Sequence, residues 1–364
     1  MTASRVLVVA EQLRRNPPGG IGTYIRGLLQ GLDALEPGNR PAVELLASRP
    51  RGGDSPDLMA GLGYPVHNSM LPGPVLTRAW DRGLVRAPRG FGLIHATSVA
   101  SLETGSVPLV ATVHDLLWRR LPTAYPHRGR EWHEAALARL LHRADRFIVP
   151  AEEVASDLQN AGAPAEAVTV IPMGSDHLPP PDAAAGAALL ERLGVTGPYL
   201  LSVGTLEPRK NLVRLIEAYQ RIRSELPEPW PLLLVGPSGW GKQVAPAAGV
   251  VLTGLISAGE LSALYGQARL LAYVPLVEGF GLPPVEAMGF GAPVVASPLP
   301  GTGGAAFEVD PHDVESIAAG ILRVATDEAE RSRLIAAGRA HSRDLAWSSI
   351  ARRHIAVWNE ASDG

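Results

Sequence analysis

Short apolar, β-branched runs alternate along this chain with longer stretches whose apolar residues recur every three or four positions. The first run is Arg5-Val-Leu-Val-Val-Ala10, and another of the same kind, Tyr199-Leu-Leu-Ser-Val-Gly204, opens the other half. Each leads through a glycine-containing turn into a helix-period segment, so each reads as the first strand of an α/β domain. In the first half, 93–96, 108–113, 146–149 and 168–171 read as further buried strands, with helices over 22–35, 130–143 and 152–161. In the second half the strands are 231–236, 250–253, 268–273 and 292–296, with helices near 211–225, 258–266, 283–290, 313–326 and 328–340. Near-continuous apolar runs separated by helices are what a parallel sheet covered on both faces requires.

Between the halves, Met173–Asp182 contains Pro179, Pro180 and Pro181, which continue neither a helix nor a central strand. The domain boundary is placed there, with an N-terminal domain over 1–173 and a C-terminal one over 174–343. The alanine-rich 183–192 reads as a short helix, because Leu189, Leu190 and Leu193 give it an apolar face. Ala346, Trp347, Ile350, Ala351, Ile355 and Trp358 recur at near-helical spacing, so a last helix over about 344–360 is expected to pack back on the N-terminal domain.

Composition narrows the class. With 364 residues, 46% hydrophobic and 19% charged, the chain has enough apolar material for two cores and too little charge for disorder. Cysteine is absent, which excludes disulfides, thiolate metal sites and a cysteine nucleophile. The first ten residues hold no signal-peptide pattern and no apolar stretch approaches membrane-spanning length, so the expected compartment is the cytoplasm. Lys plus Arg is 33 against 36 Asp plus Glu, a net charge of -3 that gives no nucleic-acid signature. One local basic excess exists: 119–146 holds seven arginines against Glu131, Glu134 and Asp145. It reads as a solvated helix face, with peripheral contact to anionic lipid as the other possibility. His127, His133 and His142 in that stretch read as surface residues.

The stretch Pro275–Ser297 is the richest in chemistry. Glu278 and Glu286 are separated by seven residues, and the glycines between them let backbone approach a ligand. Pro283 and Pro284 suit the first turn of a helix, which would place the amides of Gly279–Leu282 at its positive N-terminus with Glu286 one or two turns in. Such a loop suits an anionic, hydroxyl-rich ligand; a plain strand-to-helix turn with two solvated glutamates is the alternative. Arg209-Lys210 sit just before a helix, where two cations near amide donors would offset the charge of a departing diphosphate. Only Lys210 and Lys242 are lysine in the whole chain, which adds weight to this position. Gly19, Gly20 and Gly22 precede a helix starting near Thr23 and could expose its amides. His114 and Asp115 follow the strand 108–113 at the carboxyl end, where open α/β sheets bind ligands. No Asp-x-Asp pair and no nucleophile elbow occur, so diphosphate charge falls to side chains and helix dipoles, and no metal or other cofactor is expected.

Taken together, these strings resemble family 4 of the retaining glycosyltransferases. The likeness rests on the E-x7-E string 275–297, on Ser202-Val-Gly-Thr-Leu-Glu-Pro-Arg-Lys-Asn-Leu212, on Arg5–Ala10 followed by Gly19-Gly-Ile-Gly-Thr-Tyr24, and on Thr112-Val-His-Asp115. It runs from about residue 5 to the C-terminus. The resemblance implies the GT-B fold, two facing Rossmann-like domains with an interdomain cleft, and retention of configuration without a protein nucleophile. It implies catalytic roles for Arg209, Lys210, Glu278 and His114, and donor binding by Gly20, Gly22, Gly204, Phe280, Gly281, Leu282 and Glu286. Tyr24 and Asp115 fall in the acceptor region. The substrates implied are a nucleotide-diphosphate sugar and a hydroxyl acceptor. After Ser297 the chain departs from the family in a compact loop through Asp310. The segment Gly236–Gly241, Trp118-Arg-Arg and Tyr125-Pro are closest to mannosyl- and rhamnosyl-type transferases. Two other readings of the same scaffold are a sugar-nucleotide epimerase or phosphorylase and a non-catalytic carbohydrate-binding protein.

Overall fold

The computed structural model describes residues 5–50, 59, 61–239 and 245–363. The chain divides into two units: the first comprises Met1–His177 and Trp347–Gly364, the second Leu178–Ala346.

In the first unit seven strands, β1 (Arg5–Val9), β2 (Ala42–Ala47), β3 (Val66–Asn68), β4 (Leu93–Ala96), β5 (Leu109–Thr112), β6 (Arg146–Val149) and β7 (Val168–Val170), form one sheet in the order 3-2-1-4-5-6-7. Every pairing is parallel. The order reverses direction between β1 and β4, the switch point at which loops from the carboxyl ends leave a crevice. The helices are α1 (Gly19–Asp33), α2 (Gly73–Asp81), α3 (Leu117–Arg120), α4 (His127–Arg143) and α5 (Glu152–Asn160).

The second unit repeats the plan. Strands β8 (Leu200–Val203), β9 (Leu232–Val235), β10 (Val250–Gly254), β11 (Leu270–Tyr273), β12 (Val294–Ala296) and β13 (Phe307–Glu308) are ordered 10-9-8-11-12-13, again all parallel. Its switch point lies between β8 and β11. The helices are α6 (Ala183–Arg192), α7 (Leu212–Ile222), α8 (Ala258–Gln267), α9 (Leu282–Gly289), α10 (Val314–Thr326) and α11 (Glu328–Asp344). Leu200, Leu201, Leu232, Leu233, Leu270 and Leu271 are all fully buried, the signature of strands covered on both faces.

The chain then returns to the first unit as α12 (Trp347–Asp363). Glycines make its seat. A Cβ on Gly27 would stand 2.0 Å from Trp347 Cε2, and one on Gly31, a helical turn on, 2.2 Å from the Trp347 carbonyl oxygen. With no side chains there, α1 and α12 approach closely enough for Trp347 to be 1% exposed.

Behind that seat runs a polar chain. His354 Nδ1 lies 2.8 Å from the Ile350 carbonyl, which only accepts, so Nδ1 carries the proton and Nε2 accepts from the Tyr24 hydroxyl at 2.8 Å. The Tyr24 oxygen in turn accepts from Thr112 Oγ1 at 2.7 Å, and Thr112 from His95 Nε2 at 2.8 Å. Every proton in this row has one direction when both imidazoles are neutral. Burial pushes His95 well below its ordinary pKa and takes His354 down to about 4.

Three expectations change. The helix expected from near Thr23 begins at Gly19, so its glycines lie inside the first turn. His133 is half-buried and stacks on Trp118 with ring centroids 4.7 Å apart, whereas His127 and His142 are exposed. The basic stretch 119–146 is largely neutralised: Arg119 pairs with Glu134, Arg120 with Asp157, Arg139 with Asp81 and Arg143 with Glu103. Among the described residues no helix is long and apolar enough to cross a membrane.

Candidate active site

The loops leaving β8 and β11, on either side of the second unit's switch point, bring the charged residues together. After β8 the backbone passes Gly204 at φ +149°, where a Cβ would sit 3.3 Å from Lys210 Cε. A short 3-10 turn, Pro208–Lys210, follows, and Asn211 enters α7 from the left-handed region at φ 59°. Asparagine tolerates that conformation best among residues with a side chain. Its buried amide is used as a strut, donating to the carbonyls of Val274 at 3.1 Å and Pro311 at 2.7 Å. The Leu276 amide donates to the Arg209 carbonyl at 2.8 Å, stitching the two loops edge to edge.

On this frame Glu278 takes both cations. Its Oε1 accepts from Arg209 at 2.8 Å, and its Oε2 from Lys210 Nζ at 2.6 Å and the Tyr273 hydroxyl at 2.7 Å. Arg209 Nε lies 2.6 Å from Glu207 Oε1, a contact close enough for an ion pair but without hydrogen-bond alignment. Two cations and two carboxylates thus balance in a buried cluster, as burial of charge demands. Burial pushes the Glu278 carboxyl up, but Lys210 and Arg209 outweigh it and hold the group well below the usual carboxylate range. Burial lowers Lys210 and raises Glu207, each partly offset by its charged neighbours. Burial and the Glu278 charge raise Tyr273 well above its ordinary value, so it stays a neutral donor.

Downstream, Gly281 caps α9 at φ 95°, a conformation that excludes most side chains, and Pro283 and Pro284 occupy the first turn, where their missing amides cost nothing. Glu286 is 7% exposed and accepts from the Tyr265 hydroxyl at 2.8 Å. The Phe280 carbonyl is taken by the Gly301 amide at 2.9 Å, and a Cβ on Gly301 would meet that carbonyl at 2.6 Å. The compact loop after Ser297 is therefore packed behind Phe280 and Leu282, whose side chains are 6% and 9% exposed.

In the first unit, His114 follows β5. Its Nε2 donates to the Thr97 carbonyl at 2.9 Å, and burial takes its pKa down to about 4. At neutral pH the ring is uncharged and its Nδ1 holds a lone pair that, among the described residues, no protein group meets. Asp115 stands two residues before α3 and accepts from the Leu117 amide at 3.2 Å. Gly20 is open to solvent. Gly22 is not an open donor: its amide bonds the Pro18 carbonyl at 3.3 Å, and a Cβ on it would stand 2.4 Å from Pro18 Cβ. Tyr24 is 3% exposed with its hydroxyl inside the polar chain, so it backs the His114 ring, 4.8 Å away between centroids, and does not reach an acceptor surface.

Comparison with known proteins agrees with this layout. Residues 18–177 match the model of glycosyltransferase family 4, and residues 191–341 that of the glycosyl transferases of group 1. The O-antigen chain mannosyltransferase B of Escherichia coli is 30% identical over 261 residues, covering 68% of each chain. The chain belongs to glycosyltransferase family 4. The phosphatidyl-myo-inositol mannosyltransferase of Mycobacterium tuberculosis is a further relative of this transferase, 30% identical over 279 residues, covering 72% of this chain and 70% of that one. A serotype-specific mannosyltransferase of E. coli is 30% identical over 252 residues, 64% of this chain, but the match spans 29% of its length. Among solved structures, the family 4 enzyme shares its GT-B fold with sucrose-phosphate synthase from Thermosynechococcus elongatus (TM-score 0.73, 22% identity, 98% of both chains). It shares it also with the Anabaena protein HepE in complex with UDP and glucose (TM-score 0.70, 19% identity, 97% of this chain and 98% of that one).

Several residues of this glycosyltransferase's site escape the motifs. Tyr273 reads as strand interior, yet it is the last residue of β11 and its hydroxyl reaches the cluster. Tyr265 on α8 is tied to Glu286 only through tertiary packing, with no spacing signal. Glu207 lies two residues from Arg209, a proximity that was readable. Of the segment 236–241, Trp240 and Gly241 lie outside the described residues, as does Lys242.

Proposed function

We propose that this glycosyltransferase moves mannose from a nucleotide-diphosphate donor to a hydroxyl acceptor with retention of anomeric configuration. The observation that carries the reading is the pairing of Arg209 and Lys210 on one carboxylate at the carboxyl edge of β8 and β11. Glu278 holds both cations in place, so an arriving diphosphate meets them already oriented and little reorganisation is needed as charge builds on the leaving group. Mannose is favoured by the names of the curated relatives. In the step itself the bond from the sugar C1 to the phosphate oxygen breaks and the acceptor oxygen bonds C1 on the same face. The departing phosphate oxygen takes the acceptor's hydroxyl proton. Glu286 accepts from the ribose hydroxyls, Glu278 and the amides of 280–282 orient the sugar, and His114 offers Nδ1 as acceptor to a sugar hydroxyl. The first unit takes the acceptor.

A screen of nucleotide sugars with product mass tests this: a mannosylated acceptor is expected, whereas donor isomerised or cleaved without any acceptor overturns transfer. Glu286→Ala is expected to weaken nucleoside diphosphate binding by about 1 to 3 kcal/mol, as loss of a hydrogen-bond acceptor does, with turnover at saturation changed less. Calorimetric titration gives the number, and unchanged affinity removes Glu286 from the ribose. Activity is expected to survive EDTA, because among the described residues no three His, Asp or Glu side chains converge as metal ligands. Loss of turnover restored by Mg²⁺ or Mn²⁺ overturns that expectation.

A further inference from the structure

A groove of about 810 Å³ opens in the first unit along the loops that leave β1, β2 and β3, its walls including Glu11, Ser48 and Pro72. It is large enough for a small ligand. Four arginines line it: Arg14, Arg15, Arg49 and Arg78. Arg15, Arg49 and Arg78 are exposed and, among the described residues, none of the three has a carboxylate partner. The two acidic residues on the walls are already committed. Glu11 is 8% exposed and accepts the Ser48 amide at 2.6 Å, while Asp81 takes Arg139 and the Trp132 indole N–H, the latter at 2.9 Å. The contrast with 119–146 is direct, since there Arg119, Arg120, Arg139 and Arg143 each meet a carboxylate, whereas Arg15, Arg49 and Arg78 meet none among the described residues.

That same bond from Trp132 to Asp81 fixes an aromatic ring in the groove wall. A held indole stacks on the apolar face of a hydroxylated ring, and guanidinium groups fork onto phosphate oxygens in pairs. The diphosphate cluster is built from second-unit residues, and none of them lines this groove. We propose that it binds the acceptor, and that the acceptor carries a phosphate group beside its hydroxylated ring. The phosphate sits on Arg15, Arg49 and Arg78 and the ring on Trp132. The proposal deepens the transferase reading and rests on it. Two sources share the chemistry, a soluble sugar phosphate and a lipid headgroup. Met70, 88% exposed, precedes the wall residues 72–78 and Val75, 47% exposed, stands among them without lining the groove; both would lie against acyl chains in the second case.

The test uses the full chain. Glucose 6-phosphate and glucose are titrated by ligand-observed NMR, and flotation is run with phosphatidylcholine vesicles with and without phosphatidylglycerol. Glucose 6-phosphate is expected to bind at least about tenfold more tightly than glucose, with each of Arg15→Gln, Arg49→Gln and Arg78→Gln weakening it by roughly tenfold, the value of one charge-assisted hydrogen bond. Anionic vesicles bound with the same arginine dependence assign the phosphate to a headgroup; sugar phosphate bound without vesicles assigns it to a soluble acceptor. The three side chains are exposed, so the variants should melt like the parent. Equal affinity for both sugars, an unchanged triple variant, or no binding in either arm overturns the proposal. So does displacement of the sugar phosphate by UDP or GDP, which would locate it at the donor cluster. Nucleoside diphosphate affinity measured alongside keeps the two readings apart: its absence sinks the donor assignment and leaves the groove result standing.

Discussion

Lys210→Ala lowers turnover by about 10²- to 10³-fold, the usual cost of removing one preorganised group from a site where charge develops. Lys210 is the partner of Glu278 least able to be replaced, since its Nζ reaches both Glu278 and Tyr273 from a side chain only 10% exposed. Its loss leaves Glu278 buried with one cation instead of two, so the variant also melts lower. Lys210→Arg separates the two effects: it restores the charge balance but cannot place a single donor where Nζ stood, so melting recovers more than turnover. Turnover and melting of both variants, with nucleoside diphosphate affinity, make the measurement. Wild-type turnover in Lys210→Ala with every accepted donor would mean that the cluster is a structural ion pair and nothing more.

The first unit loses stability as pH falls below about 6.5. His95 and His354 are both fully buried, and the row of hydrogen bonds from His95 through Thr112 and Tyr24 to His354 has a place for every proton only when both rings are neutral. Their folded pKa values lie below the unfolded value of about 6.5, so below that pH the unfolded chain binds protons that the folded one excludes. Each ring then costs about 1.4 kcal/mol per pH unit, and for His354 the loss continues down to about pH 4. For His354 this amounts to about 2 kcal/mol at pH 5, a sizeable part of an ordinary domain's stability, and His95 adds to it in the same direction. Urea titrations between pH 7.5 and 5, read by tryptophan fluorescence, should show His354→Gln less stable than the parent at pH 7.5 and less pH-sensitive by about 1.4 kcal/mol per unit. Parallel pH profiles for parent and variant would mean that His354 takes up its proton in the folded protein as readily as in the unfolded chain.

How far the sequence carries depends on what each residue faces. β1 and β8 are legible because their residues are apolar on both sides, and Arg146–Val149 and Ala183–Arg192 end where the pattern ends. β2 is hidden by Glu44 in the middle of Ala42–Ala47, a charge tolerated there because Arg5 and His67 meet it. β3 and β13 are three and two residues long, too short for any period to register. α2 begins Gly73-Pro74, which reads as a turn although proline is at home in a first helical turn. At the site, Arg209, Lys210, Glu278 and Glu286 stand in strings that point to a ligand. What those strings could not convey is that Glu278 holds both cations and that two tyrosines finish the carboxylates, because these contacts join elements far apart in sequence. His354 was readable and was missed: it lies four residues after Ile350 and four before Trp358, on the buried stripe of α12.

The helix that closes the first unit is synthesised only after the whole of the second unit. Until Trp347–Asp363 emerges, the Gly27–Gly31 face of α1 has nothing against it and the Tyr24 hydroxyl lacks its imidazole acceptor, while Leu178–Ala346 is already free to fold. The half of the protein synthesised first is therefore finished second, and a nascent chain stalled anywhere before residue 347 carries an open apolar seam that chaperones must cover.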